Sequence, residues 1–325
     1  VKATATLTII LASVFYALAD YPTVEGLTSH LFTNAVIVWQ APTNDLPQNF
    51  WIYQRTLPRI FSETVISNAI VLGSLQSKGF PQPSTNQTCI VAEPPCPCMN
   101  VCNFFINPSD ASMSFVSPDY KNGSPDGIPA DAVIDAHAWA YAHKLGIDTD
   151  KLILKNLFTH FCNTGENQNV DTNAICGRGV FLSRQLDGIA FFSADEQGDG
   201  AEGFSIEFGS YGEIRSFSLC WSDVRRCKNV PTDDPQKIIH SIQSHKIIIL
   251  PDADEENYFG RLERLANSRK VVVTKIMPYY IKGVFGETPT NDVSPILITP
   301  MAELDATVDL ENSNTVIHML TPIVR

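Results

Sequence analysis

The stretch Asp187–Trp221 reads DGIAFFSADEQGDGAEGFSIEFGSYGEIRSFSLCW and carries the pattern of a β-hairpin. Ile189, Phe191 and Phe192 form a short apolar run, and an acidic loop with two glycines follows. Two runs of period-two alternation then flank Ser210-Tyr211-Gly212. Successive side chains of a strand point to opposite faces, so Phe204, Ile206 and Phe208 share one face. Ile214, Phe217 and Leu219 nearly repeat that face on the second strand, with a one-residue slip that a bulge near Gly212 absorbs. One face of this hairpin is expected to be buried against helices.

Working outward, Ser62 reads as an N-cap, with Phe61 and Ile66 as a hydrophobic staple, for a helix over about 63–78. VCNFFIN and ASMSFVS flank Pro108-Ser109-Asp110 as a second hairpin. Residues 118–130 are dense in proline and glycine and read as a linker. A helix over 131–145 follows, with Ile134, Ala138, Tyr141 and Leu145 on one stripe and Gly146 ending it. Asp148 or Thr149 is expected to cap a second helix that places Leu154, Leu157, Phe158 and Phe161 on one stripe. Asp234-Pro235 opens a further helix with Ile238, Ile239 and Ile242 inward. The rest reads as a strand at 247–250, a helix at 254–266, and strands at 270–280, 296–309 and 315–323.

Arg184, Asp187, Gly188 and Ile189, the hairpin, Trp221 and the proline-led helix PQKIIHSI together resemble the pattern of exported bacterial PepSY-like proteins. That resemblance covers residues 130–325 and implies cystatin-like units, each a helix packed across an antiparallel sheet, and it implies no established activity. Ala190 and Phe191 stand where the pattern usually has a proline. The expected fold class is α+β, helices packed on antiparallel sheets in tandem cystatin-like, PepSY-like units. The expected division is 1–19 as a signal peptide, 20–129 as an N-terminal region, 130–230 as a first unit and 231–325 as a second.

The chain has 325 residues with 44% hydrophobic content and a formal net charge of -12. Such an acidic balance, with no lysine and arginine cluster, argues against a nucleic-acid partner and against anionic membrane surfaces. Lys2, the apolar run Leu7–Leu18 and Ala17-Leu18-Ala19 make up a signal peptide cleaved before Asp20, and no later segment is long enough to span a membrane stably. The protein is therefore expected to be secreted or periplasmic. Eight cysteines in an exported chain read first as disulfides, with Cys162 to Cys176 and Cys220 to Cys227 as local bridges. Cys89, Cys96, Cys98 and Cys102 crowd one loop, where three disulfide pairings and a zinc site are all open.

No C-x-x-C-H, Walker, G-x-S-x-G or H-E-x-x-H sequence occurs, so no cofactor is expected. Asp195, Glu196, Asp199 and Glu202 offer a calcium site on a glycine-bent loop, without the EF-hand spacing; the competing reading is a solvated hairpin tip. His137 and His160 with Glu166 offer the parts of a general acid and base, although His137 borders an apolar stripe and reads first as a satisfied core histidine. Two functions follow. The first is an exported, non-enzymatic binding or protease-modulating protein with an unknown protein or peptide ligand, and the alternative is a secreted hydrolase built on His137, His160 and Glu166.

Overall fold

The structure is a computed structural model that describes residues 31–32, 34–44, 46–56, 59, 61–72, 104–107, 111–117, 125–163, 170–193, 201–250, 258–282, 297–310 and 313–324. The chain forms two compact units, residues 55–224 and a unit made of 1–54 with 225–325. Helices pack against largely antiparallel sheets, so the fold is α+β.

The 55–224 unit has a sheet of seven strands: β3 (Phe104–Asn107), β4 (Ser112–Val116), β5 (Leu152–Asn163), β6 (Val170–Leu186), β7 (Ile189–Ala190), β8 (Gly203–Phe208) and β9 (Ile214–Cys220). Their order is β3-β4-β9-β8-β6-β5, with β7 paired to β6, and every pairing is antiparallel. Strands before and after residues 125–130 thus share one sheet. The central hairpin is β8 and β9, joined by a short turn at Ser210–Gly212. Its register shifts at Glu207/Phe208, because Ser216 pairs with Glu207 and Ile214 with Phe208, leaving Arg215 as the bulged residue. Phe204, Ile206 and Phe208 are buried in one core with Ile134, Ala138 and Ala142.

Two helices cover that face: α1 (Glu63–Leu72) and α2 (Asp131–Lys144). Ser62 Oγ accepts from the Val65 amide at 3.3 Å, and Phe61 and Ile66 are both buried beside it. The helix is described to Leu72, and residues 73–80 lie outside the described residues. Helix α2 ends at Gly146, whose φ of +73° is a conformation that a side chain would strain.

The expected second helix is instead a strand. Asp148 caps only the short 3-10 turn Thr149–Lys151, and β5 follows. The error has a physical origin in a bulge between Leu154 and Asn156. Leu154 pairs with Leu182 and Leu157 with Val180, so residues three apart reach the same face. A bulged strand therefore reproduces helical spacing, and only its small partners Gly177 and Gly179 distinguish it.

The other unit holds β1 (Val36–Trp39), β2 (Asn49–Thr56), β11 (Ile248–Leu250), β12 (Lys270–Lys282), β13 (Leu297–Leu310) and β14 (Ser313–Pro322), with β10 (Asp223–Pro231) completing a seven-stranded sheet. Its order is β1-β12-β13-β14-β11, while β2 pairs with β13 and β10. Strand β1 runs parallel to β12. Helix α3 (Pro235–Gln243) packs on β14, and α4 (Tyr258–Ala266) on β13. Asp234 accepts from the Lys237 amide at 2.9 Å and Pro235 takes the first helical turn, as the sequence led one to expect.

Cys162 and Cys176 form a disulfide near the ends of β5 and β6 that face each other. No disulfide joins Cys220 to Cys227. The anticipated loop does not exist as a hairpin, because β9 pairs with β4 and β8 whereas β10 pairs with β2, and so the two cysteines are not cross-strand neighbours. Cys227 is an exposed thiol, 3.6 Å from Gln54 Oε1. Residues 1–30 and the cysteine loop with Cys89, Cys96, Cys98 and Cys102 lie outside the described residues. No helix among the described residues is long and apolar enough to cross a membrane, which does not bear on crossing by strands.

Candidate functional site

Glu207 and Phe208 are neighbours on β8, so their side chains leave opposite faces of the sheet. That alternation separates the two histidines. His137, on the exposed side of α2, lies 6.1 Å from both the Tyr141 and the Phe208 rings and packs as part of an aromatic group. His160, on β5, pairs with Gly177 and brings Nδ1 to 3.9 Å from Glu207 Oε1. Glu166 lies outside the described residues.

The face that holds His160 is built to receive charge. The bulge at Arg215 turns its guanidinium onto Glu207, with Nη1 at 3.3 Å from Oε1, and both side chains are almost wholly buried. Arg215 Nη1 also donates to the Cys176 carbonyl at 2.8 Å, which ties the ion pair to the disulfide-bonded strand. Glycine makes the room. A Cβ on Gly177 would collide with the Glu207 carboxylate and lie 2.9 Å from the Arg215 guanidinium, and one on Gly179 would lie 2.8 Å from the Ile206 carbonyl and strike the Phe158 ring. His160 is partly exposed, and 3.9 Å is too long for a hydrogen bond. The imidazole therefore borders a carboxylate that Arg215 already neutralises.

A second buried ionic group lies at the start of β8. Glu202, expected on an exposed acidic loop, is fully buried, and its carboxylate is taken by Arg184 and by Arg55 Nε at 3.2 Å. Ser222 adds its hydroxyl to Oε1 and its amide to Oε2 at 3.3 Å. Arg184 also donates to the Ser222 carbonyl at 2.6 Å and lies 4.5 Å above the Trp221 ring. Arg59 donates to the Trp221 carbonyl, and burial lowers its pKa. Asp195, Glu196 and Asp199 lie outside the described residues.

These arrangements explain the spacing of the Arg-x-x-Asp-Gly stretch. Asp187 and Gly188 both have positive φ, 51° and 80°, between paired Leu186 and Ile189, which is the geometry of a two-residue type I′ turn. Arg184 sits three residues earlier, where β6 reaches Trp221. Read from sequence, these residues are turn and core; Glu202 as the buried counterpart of Arg184, and Arg215 as that of Glu207, are not apparent there. A charged residue inside an alternating apolar strand, such as Glu207 between Ile206 and Phe208, was the signal available.

Strand β5 is the last strand of its sheet, and among the described residues no strand pairs with its outer edge. Ile153, Leu154, Leu157 and Phe161 are each 40–43% exposed along it. Single exposed apolar side chains are ordinary, but Leu154, Leu157 and Phe161 share one face of this outer strand, with Ile153 on the opposite face, and three together form a surface that favours contact. Bulges at Lys155 and after His160 leave Asn156–His160 as the run with regular register.

No protein-family model and no curated protein matches the chain. Among solved structures, the crystal structure of an uncharacterized protein from Eubacterium rectale ATCC 33656 aligns with 89% of this chain and 88% of its own, at 12% identity and a TM-score of 0.46.

Proposed function

We propose that the chain is an exported binding protein, acting without catalysis, that takes a protein or peptide partner in extended form along β5. The observation that carries this reading is the exposed apolar group Leu154, Leu157 and Phe161 on one face of an outer strand. An unpaired edge offers backbone donors and acceptors to an incoming strand, and the side chains beside it supply selectivity. The run Asn156–His160 is long enough for a short strand addition. A protease is one such partner, and this would make the chain a protease modulator. Export rests on the signal-like leader, and the Cys162–Cys176 bridge suits an oxidising compartment. The cystatin-like, PepSY-like identity remains part of the same proposal and rests on the Arg184 to Trp221 pattern.

The test selects displayed peptides on the purified full chain and measures amide exchange. Bound peptide should protect the β5 amides, and Leu157→Lys should abolish binding while leaving the circular dichroism unchanged. Hydrolysis of peptide, ester or polysaccharide substrates that a His160→Ala, Glu166→Ala double variant loses would establish the hydrolase instead.

A further inference from the structure

We propose that Glu303, Asp305 and His318 form a divalent-cation site, of the kind that takes zinc, on the open face of the β12-β13-β14 sheet. Glu303 and Asp305 are two residues apart on β13, so their side chains leave the same face. His318 on β14 is the cross-strand partner of Asp305, and its Nδ1 lies 2.8 Å from Asp305 Oδ1. One ligand atom from each of the three lies within 4.8 Å of the others.

The backbone holds this arrangement. Ten unbroken cross-strand pairs fix β13 against β14, and the intervening Leu304 and Ala306 are fully buried on the other face. With zinc–ligand bonds of about 2.0–2.2 Å, tetrahedral ligand atoms stand roughly 3.3 Å apart. The His318–Asp305 separation is 2.8 Å and all three ligand atoms stay within 4.8 Å of one another, so rotation of side chains is enough to close the set. An imidazole with two carboxylates is a nitrogen and oxygen set suited to zinc, with water completing the shell.

The competing explanation is a plain surface ion trio. Lys275, the partner of Asp305 on β12, brings Nζ to 3.7 Å from Oδ2 and already supplies a positive charge. Its side chain is 55% exposed, however, and a flexible ammonium stem can turn to water when a dication arrives. The two explanations part at Glu303, which a metal shell requires and an ion trio of Lys275, Asp305 and His318 does not.

The experiment titrates zinc into the full chain, stripped by chelator and kept without reductant, in competition with a chromophoric chelator at neutral pH. One zinc per chain should bind through this site, and His318→Ala and Glu303→Gln should each weaken it by about tenfold or more. Lys275→Met should tighten it, because the competing cation is gone. Cobalt in place of zinc should give a visible absorption band that His318→Ala removes. Undetectable binding overturns the proposal, and so does binding that all three variants leave unchanged, which would assign the metal to cysteines elsewhere.

Discussion

Arg215 stands where the β9 register slips, and that slip allows a guanidinium to reach a carboxylate inside the sheet. Removing one member of a buried pair strands the other charge, at a cost of about 3–5 kcal/mol, whereas removing both is often close to neutral. Urea unfolding should therefore show Arg215→Met strongly destabilised and an Arg215→Met, Glu207→Leu double variant largely recovered. Strictly additive losses would show that the two side chains do not act as a pair. Asp148 provides a pH-dependent case. The side-chain hydrogen bond from Lys151 holds its carboxyl below the usual range, and so the folded state gains from it above the unfolded pKa and loses that gain as pH falls through the folded value. Lys151→Met should raise the Asp148 pKa in a carboxylate NMR titration, and an unchanged titration would remove the interaction. Caps, turns and positive-φ glycines were legible in the sequence because local chemistry determines them. Glu202 was not legible, since Arg55 comes from an element distant in sequence, and the Glu207–Arg215 pair was hidden because the bulge that brings them together on one hairpin breaks the alternation.

Among the elements, the β8–β9 hairpin and the helix over it were readable because one periodicity served one buried face. Ile206 lies at its centre, fully buried, and Ile206→Ala should cost roughly 2–5 kcal/mol, as read from equilibrium denaturation. A neutral result would place that face in water. Strand β5 shows how the same reading fails. Its bulge gives Leu154 and Leu157 a shared face at a spacing of three, and an apolar stripe cannot then separate helix from strand. The β6 sequence contained the deciding information, because Gly177 and Gly179 leave room only for a strand that brings a ring and a carboxylate across them. Gly179→Ala should thus destabilise the fold even though alanine gains about 0.5–1 kcal/mol over glycine in strand backbone, since the added Cβ meets the Ile206 carbonyl as well as a ring. A neutral or stabilised variant would mean that Phe158 and the strand yield freely.

At the scale of the whole molecule, a unit assembled from residues 1–54 and 225–325 is not visible to any local pattern, because the pairings of β1 with β12 and of β2 with β13 join strands from its two separate segments. The cysteines report on the same limit. A bridge across one hairpin, Cys162 to Cys176, follows from spacing, while Cys220 and Cys227, closer still in sequence, lie on β9 and β10, which belong to different sheets. The chemical consequence is specific. Closing a loop of sequence separation 14 removes denatured-state freedom equivalent to about 3 kcal/mol, so a Cys162→Ser, Cys176→Ser variant should unfold at correspondingly lower urea. Alkylation of the native, unreduced protein should label Cys227, which is exposed, and leave Cys162 and Cys176 joined in one linked peptide on digestion. A linked peptide joining Cys220 to Cys227 would require β9 and β10 to fold back on one another, and would overturn the assignment of those strands to separate sheets.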